Sequence, residues 1–229
     1  MGSKMKNLII RTASGAVMLV VLLGAILASK WSFTALMAII AIGGMWEFYR
    51  FCEKAGYQPM KWVGIFLGIT IFVTNFAVSL FFDTEVDGVG AIILMVTPIV
   101  ALAMPIMAIC ELYRKSSTPI ANIATSILGT LYVALPMSLM LIIPLLLGNG
   151  EWNPWIIIFY VFIIWANDVF AYLFGITLGK HRLFERISPK KSWEGFFGGL
   201  LGAMAMGYVA SLVVEANALV WIGLALVAA

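Results

Sequence analysis

The feature that most constrains this chain is its long apolar runs, several of which exceed the ~18 to 20 residues needed to cross a bilayer. In hydrocarbon every backbone N–H and C=O must be paired within the protein, so a spanning chain is either helical or a closed barrel. A barrel would show short alternating strands, and the runs here are too long and too uniformly apolar for that. The chain is therefore read as all-α, a polytopic helical membrane bundle. Spans are expected at 8–28, 31–46, 62–82, 88–112, 123–147, 155–175 and 195–214. These make about seven complete transmembrane helices, followed by a truncated eighth at 218–229. Composition agrees: 63% of residues are hydrophobic and 11% charged, where soluble domains carry roughly a quarter charged. Residues 1–229 are read as one transmembrane domain, with no soluble domain, repeat or low-complexity linker. The last apolar piece covers only ~18 Å of a ~30 Å core, so a truncated form is expected.

Orientation follows from lysine and arginine. With the N-terminus inside, Lys4, Lys6, Arg11, Arg50, Lys54, Lys61, Arg114, Lys115, Lys180, Arg182, Arg186, Lys190 and Lys191 fall in inner segments. That leaves only Lys30 of the 14 basic residues outside, as the positive-inside rule requires. The outer loops carry Asp83, Glu85, Asp87, Glu151 and Glu215 instead. The first run mimics a signal peptide but is longer than a typical h-region, so it is read as a retained span. Loop 176–194 is placed in the cytoplasm.

Other polar and special residues have ordinary readings. Trp31, Trp46, Trp62, Trp152 and Trp155 lie at expected span ends and serve as interface anchors. Pro98, Pro105, Pro136 and Pro144 predict kinks in the fourth and fifth spans. Thr70, Thr74, Asn75 and Ser79 are read as interhelical hydrogen-bonding groups. Cys52 and Cys110 are read as reduced apolar side chains.

The chemistry concentrates between Trp165 and Gly199. Asp168 opens this stretch inside an apolar run, and an acid within a span is a functional candidate by default. The competing reading is a structural carboxylate paired with a neighbouring lysine. On helical spacing Asp168, Ala171, Tyr172 and Gly175 share a face, expected to turn towards the bundle or a water-filled cavity. Asn167 is either a second polar ligand or a hydrogen-bonding partner of a neighbouring helix. Lys180, Arg182, Arg186, Lys190 and Lys191 then supply cations that either fix topology and touch headgroups or bind phosphate, and His181 is read as a loop side chain. Ser188-Pro189 has the form of an N-cap and first helical residue. That would put Lys190 and Lys191 in the first turn of a helix, where an anion is favoured. Gly195, Gly199, Ala203 and Gly207 follow at four-residue steps beside Gly198 and Gly202. They form a small-residue face for close packing, or for backbone approach to a phosphate near Gly195.

Asp168-x-x-Ala171-Tyr172-x-x-Gly175, Gly179-Lys180, Ser188-Pro189-Lys190-Lys191-Ser192-x-Glu194-Gly195 and Gly198-Gly199 together resemble the phosphatidate cytidylyltransferase (CDP-diacylglycerol synthase) family. The match is dense over about 35 residues; upstream it thins to hydropathy and pieces such as Trp46-Glu47-Phe48. The resemblance implies an inner-membrane enzyme of phospholipid biosynthesis that joins CTP to phosphatidate, releases pyrophosphate and uses Mg²⁺. It implies catalytic roles for Asp168 and Lys191, with Asp168 and Asn167 on the metal. Substrate binding falls to Lys180, Arg182, Ser188, Lys190, Ser192, Glu194 and Gly195. The bilayer is a partner, nucleic acid is not, and homodimers occur in the family. The family's C-terminal Ser-x-x-Lys-Arg…Lys-Asp…His-Gly-Gly…Asp-Arg-x-Asp pattern is absent, so these residues alone are expected not to turn over substrate. The alternative class is a cation-coupled transporter with Asp168 as the ion site.

Overall fold

The computed structural model describes residues 3–81, 87–148, 150–186 and 188–229, with the backbone alone over 3–12, 87–89, 91–96 and at 184. Asp83 and Glu85 lie outside the described residues. Among the described residues six helices are long and apolar enough to cross a membrane, with shorter apolar helices at Ala13–Ala28 and Ala218–Ala228. The protein is an all-α polytopic membrane protein, and the chain forms two compact units, Met1–Trp152 and Asn153–Ala229.

The first unit contains α1 (Ser3–Ala28), α2 (Lys30–Lys54), α3 (Lys61–Leu80) and α4 (Asp87–Arg114). It continues with α5 (Pro119–Gly129), a π-helical turn at Thr130–Ala134, α6 (Leu135–Leu139) and α7 (Ile143–Leu146). Ser29 alone separates α1 from α2, and its side chain caps α2 by accepting from the Ser32 N–H at 3.1 Å. Helix α2 runs on to Lys54, beyond the span expected at 31–46, with Tyr49 and Cys52 buried on its far end. Hydropathy marks where a helix meets lipid and says little about where the helix stops. The span expected at 123–147 corresponds to one at Pro119–Leu146, and it is interrupted in its second half, where Pro136 and Pro144 predict kinks. The π-helical turn precedes Pro136, which has no N–H to donate to the helix ladder, and residues 140–142 form a turn before α7.

Buried polar groups tie this unit together. The Tyr49 hydroxyl donates to the Ser126 carbonyl at 2.8 Å, and the Met60 N–H donates to Ser126 Oγ at 2.7 Å. Glu111, buried at the end of α4, pairs with Arg114 at 2.7 Å and accepts from Ser116 Oγ at 2.8 Å. Asn122 accepts from the Gln58 N–H at 2.8 Å. Of Thr70, Thr74, Asn75 and Ser79 in α3, only Asn75 reaches across, donating to Ser138 Oγ at 2.7 Å. Thr70, Thr74 and Ser79 bond to carbonyls of their own helix, which satisfies a hydroxyl inside a span without a partner helix.

The second unit is α8 (Pro154–Thr177), β1 (Arg182–Phe184), β2 (Ser188–Ser192), α9 (Trp193–Val213) and α10 (Ala218–Ala228). Asn153 caps α8 and Asn217 caps α10, each side-chain oxygen accepting a backbone N–H two residues on. Helices α8 and α9 form an antiparallel pair joined by the hairpin, and glycines make their contact. Phe174 fills the space a side chain at Gly198 would need, and Phe170 does the same at Gly202. At Gly195 a methyl group would lie 2.8 Å from the Ala171 carbonyl oxygen and 3.3 Å from the Gly175 Cα. Both obstacles are backbone and cannot step aside. Lower down, a methyl at Gly207 would lie 2.7 Å from the Trp221 carbonyl oxygen of α10.

Gly195→Ala should therefore force α8 and α9 apart and cost about 1–3 kcal/mol, the usual penalty for overpacking. Gly43 of α2 has nothing within 4 Å of the same methyl position. Gly43→Ala should accordingly be neutral or stabilising by up to about 1 kcal/mol. Thermal unfolding of the two variants in one detergent checks this; equal midpoints would contradict it.

Candidate functional site

The site is built on the α8–α9 pair and its connecting hairpin. The helix start expected at Ser188-Pro189 does not form. Ser188–Ser192 is a strand, and α9 begins at Trp193 with Ser192 as its N-cap. The pairing explains why. Arg182 faces Ser192 and Phe184 faces Ser188 in an antiparallel ladder with an irregularity between the two pairs. Leu183 thus stands opposite Pro189, Lys190 and Lys191. Proline has no N–H to give to a ladder, so the Pro-Lys-Lys segment is extruded as a bulge. Bulges of this kind re-aim side chains beside functional sites.

Ser192 is the hinge of the arrangement. It is buried, and its Oγ accepts from the Gly195 N–H at 3.2 Å. A methyl at Gly179 would lie 2.8 Å from the same oxygen and would also meet the Gly175 carbonyl. The glycines of the motif therefore bring the end of α8, the hairpin and the start of α9 to one point.

Glu194 is committed to the hairpin. Its two carboxylate oxygens each accept from the His181 backbone N–H at 3.2 Å, and one lies 2.6 Å from His181 Nδ1. The Trp193 N–H in turn donates to the His181 carbonyl at 2.9 Å. His181, read from sequence as a simple loop side chain, is thus the post to which the hairpin is tied. Sequence spacing held no signal for this pair, since thirteen positions of hairpin separate its members. Glu194, expected to touch substrate, also holds the loop.

The cations stay free. Lys180, Arg182, Arg186, Lys190 and Lys191 are all exposed, and none enters the three ion pairs found among the described residues. Ser188 is half-buried at the start of the bulged strand. Five unneutralised cations on one short hairpin, beside the positive end of α9, make an anion-facing surface. The helix start adds little hydrogen bonding of its own, because the Trp193 and Gly195 N–H groups already have partners.

Asp168 lies beside the helix contact and not in it. The face of α8 that α9 covers runs through Asn167, Phe170, Ala171, Phe174 and Gly175. At about 100° per residue, Asp168 and Tyr172 fall at its edge, and both are exposed. Asn167 is absorbed by packing: its Oδ1 abuts Gly199 and its Nδ2 donates to the Ala229 carbonyl at 3.3 Å. Mg²⁺ takes oxygen ligands in octahedral geometry, commonly one or two carboxylates with substrate phosphates and water. Asp168 offers one carboxylate, and no group of three His, Cys, Asp or Glu suited to a metal occurs among the described residues. Asp168 could supply one such ligand, and substrate phosphates and water would have to supply the rest.

Fold and site together define a multi-pass helical membrane protein that presents a cationic hairpin on a glycine-packed helix pair. The family is also plain: residues 9–229 match the model of the cytidylyltransferase family, and the chain belongs to it. It is similar to the phosphatidate cytidylyltransferase of Rickettsia bellii, at 34% identity over 121 residues, 53% of this chain and 49% of that protein. The Haemophilus influenzae phosphatidate cytidylyltransferase is 26% identical over 200 residues, covering 83% of this chain and 69% of that protein. The Aquifex aeolicus phosphatidate cytidylyltransferase is 51% identical over 51 residues, covering 22% of this chain and 20% of that protein. The transporter alternative gains no support from these relatives.

If Glu194 ties the hairpin down, Glu194→Ala should speed amide exchange over residues 180–192 by about an order of magnitude while α8 and α9 keep their protection. Hydrogen–deuterium exchange resolved by peptide reads this directly. An unchanged hairpin would show that the glycine packing and the ladder hold it unaided.

Proposed function

We propose that the hairpin of the second unit binds phosphates in a cytidylyl transfer from CTP to phosphatidate. An oxygen of the phosphatidate phosphate attacks the α-phosphorus of CTP. The bond from that phosphorus to the bridging oxygen breaks, and pyrophosphate leaves with the electron pair, giving CDP-diacylglycerol. The reading is carried by the five exposed, unpaired cations of the 180–191 hairpin in a chain of this family.

Both reactants are anions, so bringing them together is opposed by repulsion that the protein must offset. One cation about 4 Å from a phosphate oxygen contributes roughly 4 kcal/mol of attraction at the effective dielectric near a protein surface. It contributes most where negative charge grows, on the departing pyrophosphate. Lys190 and Lys191, carried by the bulge, are assigned to the triphosphate. Lys180 and Arg182, next to the end of α8, are assigned to the lipid phosphate. In this reading CTP arrives from the cytoplasm and phosphatidate laterally from the inner membrane. Mg²⁺ would enter as the cation that accompanies CTP, with Asp168 the carboxylate of α8 that would meet it.

The test is CTP binding by the purified chain. Replacing Lys190 and Lys191 together by Gln should weaken binding at least about tenfold and flatten its dependence on salt, because screening acts on charge attraction. The elution profile should not change, since both side chains are exposed. A folded double variant that binds CTP like the parent would reduce the pair to topology signals and remove the basis of the reading.

A further inference from the structure

We propose that the first unit carries a separate binding site for an anionic membrane phospholipid, in the groove between the end of α2 and the π-helical turn. The groove has a volume of about 540 Å³. Glu47, Arg50 and Lys54 of α2 line it on one side, with Tyr132 and Val133 of the turn on the other. At helical spacing Glu47, Arg50 and Lys54 share a face. All three are exposed, and none takes part in the ion pairs found among the described residues. Two cations against one carboxylate leave the groove positive.

Topology signals and the negative end of the α2 dipole explain cations at the end of this helix. They do not explain why those cations open into a walled groove with exposed aromatic flanks. Phe51 and Tyr132 are each 71% exposed, and Gly44 lets the turn approach so closely that a methyl there would lie 2.9 Å from Val133. Apolar rings beside unpaired cations suit a molecule with acyl chains and a phosphate. The π-helical geometry also agrees, since such turns recur at functional positions. A neighbouring groove of about 710 Å³ lined by Trp46, Trp62, Lys61 and Arg114 lacks this character. There Lys61 is already paired with Glu53 and Arg114 with Glu111, each at 2.7 Å. Charge complementarity thus selects the Arg50–Lys54 groove, and the occupant is a lipid of the surrounding leaflet, not a soluble phosphate.

The site is tested with the full chain in phosphatidylcholine nanodiscs containing phosphatidylglycerol that bears a photoreactive diazirine near its headgroup. Cross-links should map to residues 44–54 and 132–133. Replacing Arg50 and Lys54 by Gln should lower them at least about tenfold, the scale expected for two cations beside an anionic lipid. Cross-links to the 180–192 hairpin should not change, which separates this site from the phosphate reading of the second unit. Raising salt to about 0.5 M should weaken groove labelling in the parent chain, where the Debye length falls below about 5 Å; this arm needs no variant. Absence of groove cross-links in the folded parent would overturn the proposal, as would equal labelling by a phosphatidylcholine probe or labelling insensitive to both charge removal and salt. Competition by excess inorganic phosphate or CTP would also overturn it, by making the occupant a soluble phosphate.

Discussion

The second unit depends on how closely two helix backbones approach. Gly195 sits against the Ala171 carbonyl and the Gly175 Cα, and no side chain could occupy that position without separating α8 from α9. In a membrane there is little hydrophobic drive between helices, so contact must come from dispersion and short backbone distances. Here the same close approach also positions chemistry. Gly179, Ser192 and Gly195 meet where α8 ends and α9 begins, so the hairpin leaves the pair from a fixed point. A loop anchored this way can hold several cations near one another with none of them in an ion pair among the described residues.

The Glu111 cluster of the first unit and the hairpin of the second treat charge in opposite ways. In the first, Glu111 is buried and fully engaged by Arg114 and Ser116. This is the arrangement a buried carboxylate requires, because removing one partner would leave a charge without compensation. In the second, the carboxylate of Glu194 is spent on the backbone and ring of His181, and the neighbouring lysines and arginines remain open to solvent. A network that consumes its own charge has none left for a ligand. The hairpin keeps its charge available, which is why it, and not the more elaborate Glu111 cluster, is the candidate for binding phosphate.

Much of this was legible in the chain. Long apolar runs gave the all-α membrane class because hydrocarbon forbids unpaired backbone, and the four-residue glycine steps gave the packed face of α9. Hydropathy could not place the end of α2, since residues 47–54 are helical without being apolar. Ser188-Pro189 looked like a helix start because serine caps and proline tolerates the first turn. The pairing of Arg182 with Ser192 and Phe184 with Ser188 decided instead for a bulged strand. Spacing grouped Asp168 with Ala171 and Gly175, which do meet α9, and left open whether its face turns to the bundle or to a water-filled cavity. Which of several adjacent stripes on a helix becomes the packed one depends on the partner's small residues, here Gly195, Gly198, Gly199 and Gly202. The tie between His181 and Glu194 is a tertiary contact with no periodic trace.

The central claim is that the triphosphate of CTP rests on the 180–191 hairpin. An experimental structure of the chain with CTP bound tests it most directly. The account predicts phosphate oxygens within hydrogen-bonding distance of Lys190 or Lys191, with the Glu194–His181 contact intact. A triphosphate seated elsewhere, with the hairpin cations still facing solvent, would contradict it.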